Sequence, residues 1–139
     1  MNETRSVTGL AVVLGILQVF IGLSGLAGGV GLIVEPSGAF WGLPQQWLRG
    51  TPFSNYLVPG VVLLLVVGLG SLLGAATTFF RYPYAPEMAI VLGGLLIVWI
   101  IAQVMWIGPA NWLQPFYFIL GLAELALGLL LRHTWQLAS

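Results

Sequence analysis

Glu124 stands in the run Gly121-Leu122-Ala123-Glu124-Leu125-Ala126-Leu127-Gly128, deep inside an apolar stretch, whereas Glu3, Glu35 and Glu87 all flank such stretches. A carboxyl group among aliphatic side chains can take up and release a proton, bind a ligand, or hydrogen-bond a neighbouring helix. It costs about 2.5 to 3.5 kcal/mol at mid-bilayer unless it is neutral or has partners. Among the polar residues inside the other apolar runs are Gln18, Ser71 and Thr78. At 1.5 Å of helix rise per residue, counted from the arginines that bound the runs, Glu124 lies roughly 12 Å deep, Ser71 roughly 15 Å and Gln18 roughly 20 Å. Ser71 is therefore the nearest expected donor to Glu124, with Thr78 and the heads of Arg81 or Arg132 next, and the carboxyl is expected to hydrogen-bond Ser71, Thr78 or Gln18 rather than form a strong ion pair. Two readings stay open: a largely neutral carboxyl that pins the second and fourth runs in register, or a proton- or ligand-binding site.

The elements that must position these residues are helices. A hydrocarbon core about 30 Å thick needs about 20 apolar residues in helical form, and four segments qualify, at about 7–34, 57–80, 88–107 and 112–131. With 59% hydrophobic and 6% charged residues the chain is an integral membrane protein by composition. Its 139 residues leave no room for a separate soluble domain, so a single domain over 1–139 is expected. The first segment is longer than the 7 to 15 apolar residues of a typical secretory signal and is read as a true span.

Small and polar residues recur along each span at alternating steps of four and three. In the first they are Ala11, Gly15, Gln18, Gly22, Gly25 and Gly29; in the second Gly60, Leu64, Val67, Ser71, Gly74 and Thr78. The fourth has Gln114, Tyr117, Gly121, Glu124 and Gly128, and the third a weaker series of Ala89, Gly93, Leu96, Ile100 and Gln103. That rhythm places each series on one helix face, and small residues let backbones approach where lipid supplies no hydrophobic drive. The expected fold is an all-α, antiparallel four-transmembrane-helix bundle with the stripes turned inward and the first span packed closest.

The link over 35–56 is rich in aromatics, with Trp41 and Trp47 as expected interfacial residues alongside Trp106 and Trp112 of the shorter link. Within it "LPQQWLRG" predicts a short amphipathic helix, with Pro44 at its first position and Gly50 at its cap. The link is expected either to fold back as a lid or to present a recognition surface. The opposite link, "RYPYAPE", predicts a tight turn, because Pro83 and Pro86 do not continue a helix. Arg5, Arg81 and Arg132 would share one side and Arg49 the other, which predicts both termini in the cytoplasm.

The absence of cysteine excludes thiol relays, and one histidine, His133, cannot supply paired haem or zinc ligands. No Gly-x-Ser-x-Gly turn and no aspartate are present. No catalytic residue, metal or cofactor is expected, and zero net charge without a basic run argues against nucleic acid as a partner.

The whole chain resembles a group of small, uncharacterised four-span bacterial membrane proteins. The resemblance rests on Glu35-Pro36-Ser37-Gly38, Gly42-Leu43-Pro44, Trp47-Leu48, Pro52-Phe53, Tyr56-Leu57-Val58-Pro59-Gly60 and Leu113-Gln114-Pro115. The "GLAELALGLLL" pattern is more distantly similar to DoxX-like proteins, although there the comparable acidic pattern is not in the last span. The resemblance implies topology and no activity. The expected role is a non-enzymatic accessory or scaffolding subunit in a bacterial cytoplasmic membrane, embedded in the lipid bilayer, with a membrane-protein partner or as a homo-oligomer. The alternative is a small proton- or solute-coupled transporter or channel with Glu124 in its pathway.

Overall fold

The structure is a computed structural model that describes residues 2–49, 51–107 and 113–138. Trp112 and Gly50 lie outside the described residues, as do the side chains of Trp41 and Trp106.

Four helices are long and apolar enough to cross a membrane. We label them α1 (Asn2–Val34), α2 (Leu57–Phe79), α3 (Ala85–Ile107) and α4 (Leu113–Ala138). The described residues contain no strand. Pro86 sits inside the first turn of α3, where its missing N–H has no helical partner to lose, so α3 starts earlier than the proline had suggested. The fourth helix runs past Arg132 to Ala138.

Contacts join α1 to α2, α2 to α3, α3 to α4 and α4 back to α1, so the four helices stand at the corners of a square with α1 opposite α3 and α2 opposite α4. Close approaches show the antiparallel sense. A Cβ built on Gly22 would lie 3.0 Å from the Gly68 carbonyl oxygen, and one on Gly29 would lie 2.8 Å from that of Gly60, so one helix rises as the other falls. On the opposite seam, Gly93 faces Gly121 and Leu125 while Gly128 faces Ala89 and Ile90. Gly93 approaches a neighbouring backbone as closely as any glycine of α1: its Cβ would stand 2.7 Å from the Leu125 backbone nitrogen. The third span, whose stripe was the weakest to the eye, is thus held as closely as the first.

A break in regularity also lies in α2. Leu63–Leu69 is a π-helix between two α-helical stretches. Each π turn spans one more residue than an α turn, so the buried face drifts. Val67 and Gly68 are buried together here, while Leu64, on the expected stripe, is only half-buried.

At its far end α2 closes with a Schellman arrangement. Arg81 adopts a left-handed conformation at φ 57; Tyr82 N–H donates to the Thr77 carbonyl at 3.0 Å and Arg81 N–H to that of Thr78 at 3.2 Å.

Candidate functional site

The polar centre of the bundle is Gln18, Thr78 and Glu124, each 0% exposed. Gln18 lies on α1 between two apolar clusters, one around Leu14 and Leu131 and the other around Ile21 and Leu96. Thr78 Oγ donates to Gln18 Oε1 at 2.8 Å and also approaches the Gly74 carbonyl at 2.9 Å. The Gln18 amide in turn lies beside the Glu124 carboxyl. By strict hydrogen-bond geometry, however, Gln18 Nε2 and both carboxyl oxygens are unpaired. The cluster thus runs from α2 to α1 to α4.

Of the expected partners of Glu124, this arrangement brings Gln18 beside it and leaves Ser71 on a helix that is not adjacent. Ser71 is buried, at 2% exposure, but α2 and α4 are diagonal, and among the described residues their backbones do not come within 8 Å of each other. Depth alone had made Ser71 the nearest donor, whereas position around the square decides the partner. The arginine heads are engaged elsewhere too. Arg81 Nη1 donates to the Thr78 carbonyl at 3.0 Å, and Arg132 pairs with Glu87 at 3.6 Å, where both side chains are half-exposed.

Among the packing glycines, Gly25 meets backbone atoms of Val67 and Gly68, while Gly74 faces Leu92 and Gln18 Nε2. The atoms nearest a Cβ on Gly15 belong to the ring of Phe79, a side chain that can turn aside.

At the end of the bundle that carries residues 35–56 the helices part around a cavity of about 500 Å³. All four helices contribute walls, for example Gly28, Leu63, Trp99 and Tyr117, and Glu124, Gln18 and Thr78 do not. The long link covers part of it from above, with Leu43, Trp47, Leu48 and Phe53 in its wall. It forms two short 3-10 turns, Ala39–Trp41 and Gln45–Leu48, rather than one amphipathic helix, because Pro44 stays extended at φ −71 and ψ 139 and only four residues follow before the chain extends again. The second turn reaches across to α3. Leu48 and Tyr56 are buried against Leu32 of α1, the Tyr56 hydroxyl donates to the Pro44 carbonyl at 2.7 Å, and Tyr56 N–H donates to that of Pro36 at 2.8 Å. Gly38, at φ 85, allows the close approach of the Tyr56 ring. Trp47, expected at the headgroups, faces the cavity.

The sequence reading missed this cavity. Its signals were the cluster of small residues Ser24, Gly25, Ala27 and Gly28 on one end of α1 and the polar residues of α3 and α4 opposite them. No family model, curated protein or solved structure matches the chain. Fold and site together define a helical bundle of four membrane-spanning-type helices with a sealed polar core and a lidded apolar cavity.

Proposed function

We propose that the protein is a non-enzymatic accessory or scaffolding subunit of a bacterial cytoplasmic membrane, with its termini in the cytoplasm and the 35–56 link outside. The observation that supports this reading is the complete burial of Glu124, at 0% exposure, away from the cavity wall. A proton or solute carrier needs its ionisable group to meet water from each side in turn; here the carboxyl is enclosed by packed helices. The opposite faces of the helices expose large apolar side chains such as Ile16, Val98, Ile119 and Leu130, a surface suited to lipid and to the transmembrane helices of a partner or a second copy.

The test is paired. In liposomes the parent protein should carry no proton flux, and Glu124→Gln should retain whatever stoichiometric assembly the parent forms in mild detergent. Flux in the parent that disappears in Glu124→Gln would replace this reading with a proton-coupled carrier. Orientation rests on Arg5, Arg81 and Arg132 against Arg49. A cysteine placed at Ser54 should react with an impermeant reagent from outside intact cells, and one at Ser6 should not; the reverse pattern inverts the topology.

A further inference from the structure

The mostly apolar cavity carries polar groups from α1, the link, α3 and α4, and their chemistry can be read residue by residue. Several of its polar groups are already satisfied by neighbouring backbone. Ser24 Oγ donates to the Ile21 carbonyl at 3.0 Å, Thr51 Oγ to that of Leu48 at 2.7 Å, and the Tyr56 hydroxyl to that of Pro44 at 2.7 Å. On α3 the situation differs. Trp99 Nε1 is buried and has no hydrogen-bond partner, and Trp99 and Gln103, one helical turn apart, both line the cavity. From α4, Tyr117 lines the same side. An indole N–H can only donate, so it calls for an acceptor. Facing these groups are purely apolar walls, among them Ala27, Leu32, Leu63 and Val67.

A second feature belongs to the same place. Leu63 and Val67 come from the π-helical stretch of α2, and π segments recur where a helix is reshaped around a functional site. At Gly28 a Cβ would stand 2.8 Å from Leu63 Cδ2, so α1 and α2 touch beside the cavity and leave its space on the α3 and α4 side. A volume of about 500 Å³ falls within the roughly 300 to 1,000 Å³ usual for sites that hold a small molecule.

We propose that this cavity is a binding site for an apolar chain bearing a carbonyl group, with the chain against Leu32, Leu63 and Val67 and the carbonyl oxygen accepting from Trp99 Nε1 after a small turn of the indole uncovers that buried atom. Gln103 and Tyr117 stand by as further donors. A water can bridge Trp99, Gln103 and Tyr117, but Leu32, Leu63 and Val67 offer it no partner, so the rest of the volume suits an apolar chain. The acyl ester of a bilayer phospholipid and a freely diffusing apolar ketone or ester present the same chemistry, and they differ in whether a headgroup stays anchored at the membrane surface. The inference is independent of the accessory role.

Photo-crosslinking of the full chain in phosphatidylcholine vesicles tests it. One arm uses a phosphatidylcholine with a diazirine in its acyl chain next to the ester, the other a long-chain methyl ketone with a diazirine beside the carbonyl. Labelled residues are mapped by mass spectrometry, and Val98 and Ile101, exposed on the outer face of α3, report ordinary lipid contact. Labelling of Leu63 and Tyr117 by either probe supports the site, and the probe that labels them identifies the source. Trp99→Phe keeps the ring and removes the donor; inner labelling at limiting probe should fall about five-fold, the worth of one hydrogen bond. Ser24→Trp fills the cavity and should abolish inner labelling while Val98 and Ile101 label as before. Labelling confined to Val98 and Ile101 in the parent overturns the site. Undiminished inner labelling in a Trp99→Phe protein that melts like the parent overturns the carbonyl assignment.

Discussion

The two ends of the bundle are built on the same small-residue rhythm and come to opposite results. Toward the termini, Val7, Ala11, Leu14, Ala89 and Leu131 form a closed cluster, and next to it Glu124, Gln18 and Thr78 are fully enclosed. Toward the 35–56 link the same helices stand around a cavity with a lid. At the closed end α2 is regular α-helix, whereas at the open end Leu63–Leu69 is π-helical. At that end α3 and α4 also present Trp99, Gln103 and Tyr117 to the interior, where the closed end presents alanine and leucine. In a membrane, where apolar surface gains little by leaving lipid, close packing needs small residues on both partners. Where the bulky Trp99 and Tyr117 stand instead, the interior opens.

The largest effect should come from adding volume where backbones meet. Gly25→Leu places a side chain against Gly68, whose backbone nitrogen is 2.7 Å from the first added carbon. Overpacking costs about 1 to 3 kcal/mol even where side chains can yield, so the melting temperature in detergent should fall by about 10 °C or more. Gly93→Leu should match it, because the Leu125 nitrogen is equally near, whereas Gly94→Leu, with nothing within 4 Å of its Cβ, should melt like the parent. Equal melting of all three variants would mean that neither seam is as close as described.

Much of the architecture was legible because period and length are local properties. Each span's run of apolar residues and its four-and-three stripe could be counted directly, and Ala11, Gln18, Gly22, Gly25, Gly29, Gly121, Glu124 and Gly128 are all buried. What could not be counted was position around the square. Depth put Ser71 ahead of Gln18 among the expected partners of Glu124, whereas adjacency gives that place to Gln18. The π segment has no periodic signature, since Leu, Val and Gly suit an α-helix of the same length. The lid was one of two open readings, and the cavity under it depends on four helices at once.

The closed end can be probed by removing one bond at a time. Thr78→Val keeps the shape and deletes the donor to Gln18 Oε1, which sits at 2.8 Å; interhelical hydrogen bonds in membranes are worth about 0.6 to 1.7 kcal/mol. A loss of that size is expected in a reversible detergent titration, and Ser71→Ala, a site with no bond to Glu124, should change stability by less than about 0.5 kcal/mol. Glu124→Leu removes two unpaired buried oxygens, and replacing such groups by an apolar side chain of similar shape is often neutral or stabilising. Should Glu124→Leu instead lose more than about 1 kcal/mol, the carboxyl has a working partner, and Gln18 Nε2 is the atom placed to provide it.

The smallest effect belongs to the lid at the open end. Tyr56 is buried against Leu32 and Leu48, and its hydroxyl holds the Pro44 carbonyl at 2.7 Å, bridging the two ends of the second 3-10 turn's approach to α2. Tyr56→Phe should lose about 1 kcal/mol of lid closure, read as roughly five-fold faster amide exchange over residues 43–56 with the helices unchanged. Burial also pushes the Tyr56 phenol above its ordinary value of 10.0. The folded lid therefore holds its proton more tightly than the open one, so the stabilisation is complete below pH 10 and is lost as pH rises through the elevated value. The part of the tryptophan emission that disappears in Trp47→Phe should report this opening, shifting to the red in the parent above pH 10 while Tyr56→Phe, with no phenol to titrate, stays flat across the same range. A parallel shift in both proteins would assign the transition to another group and leave the lid held by its apolar contacts alone.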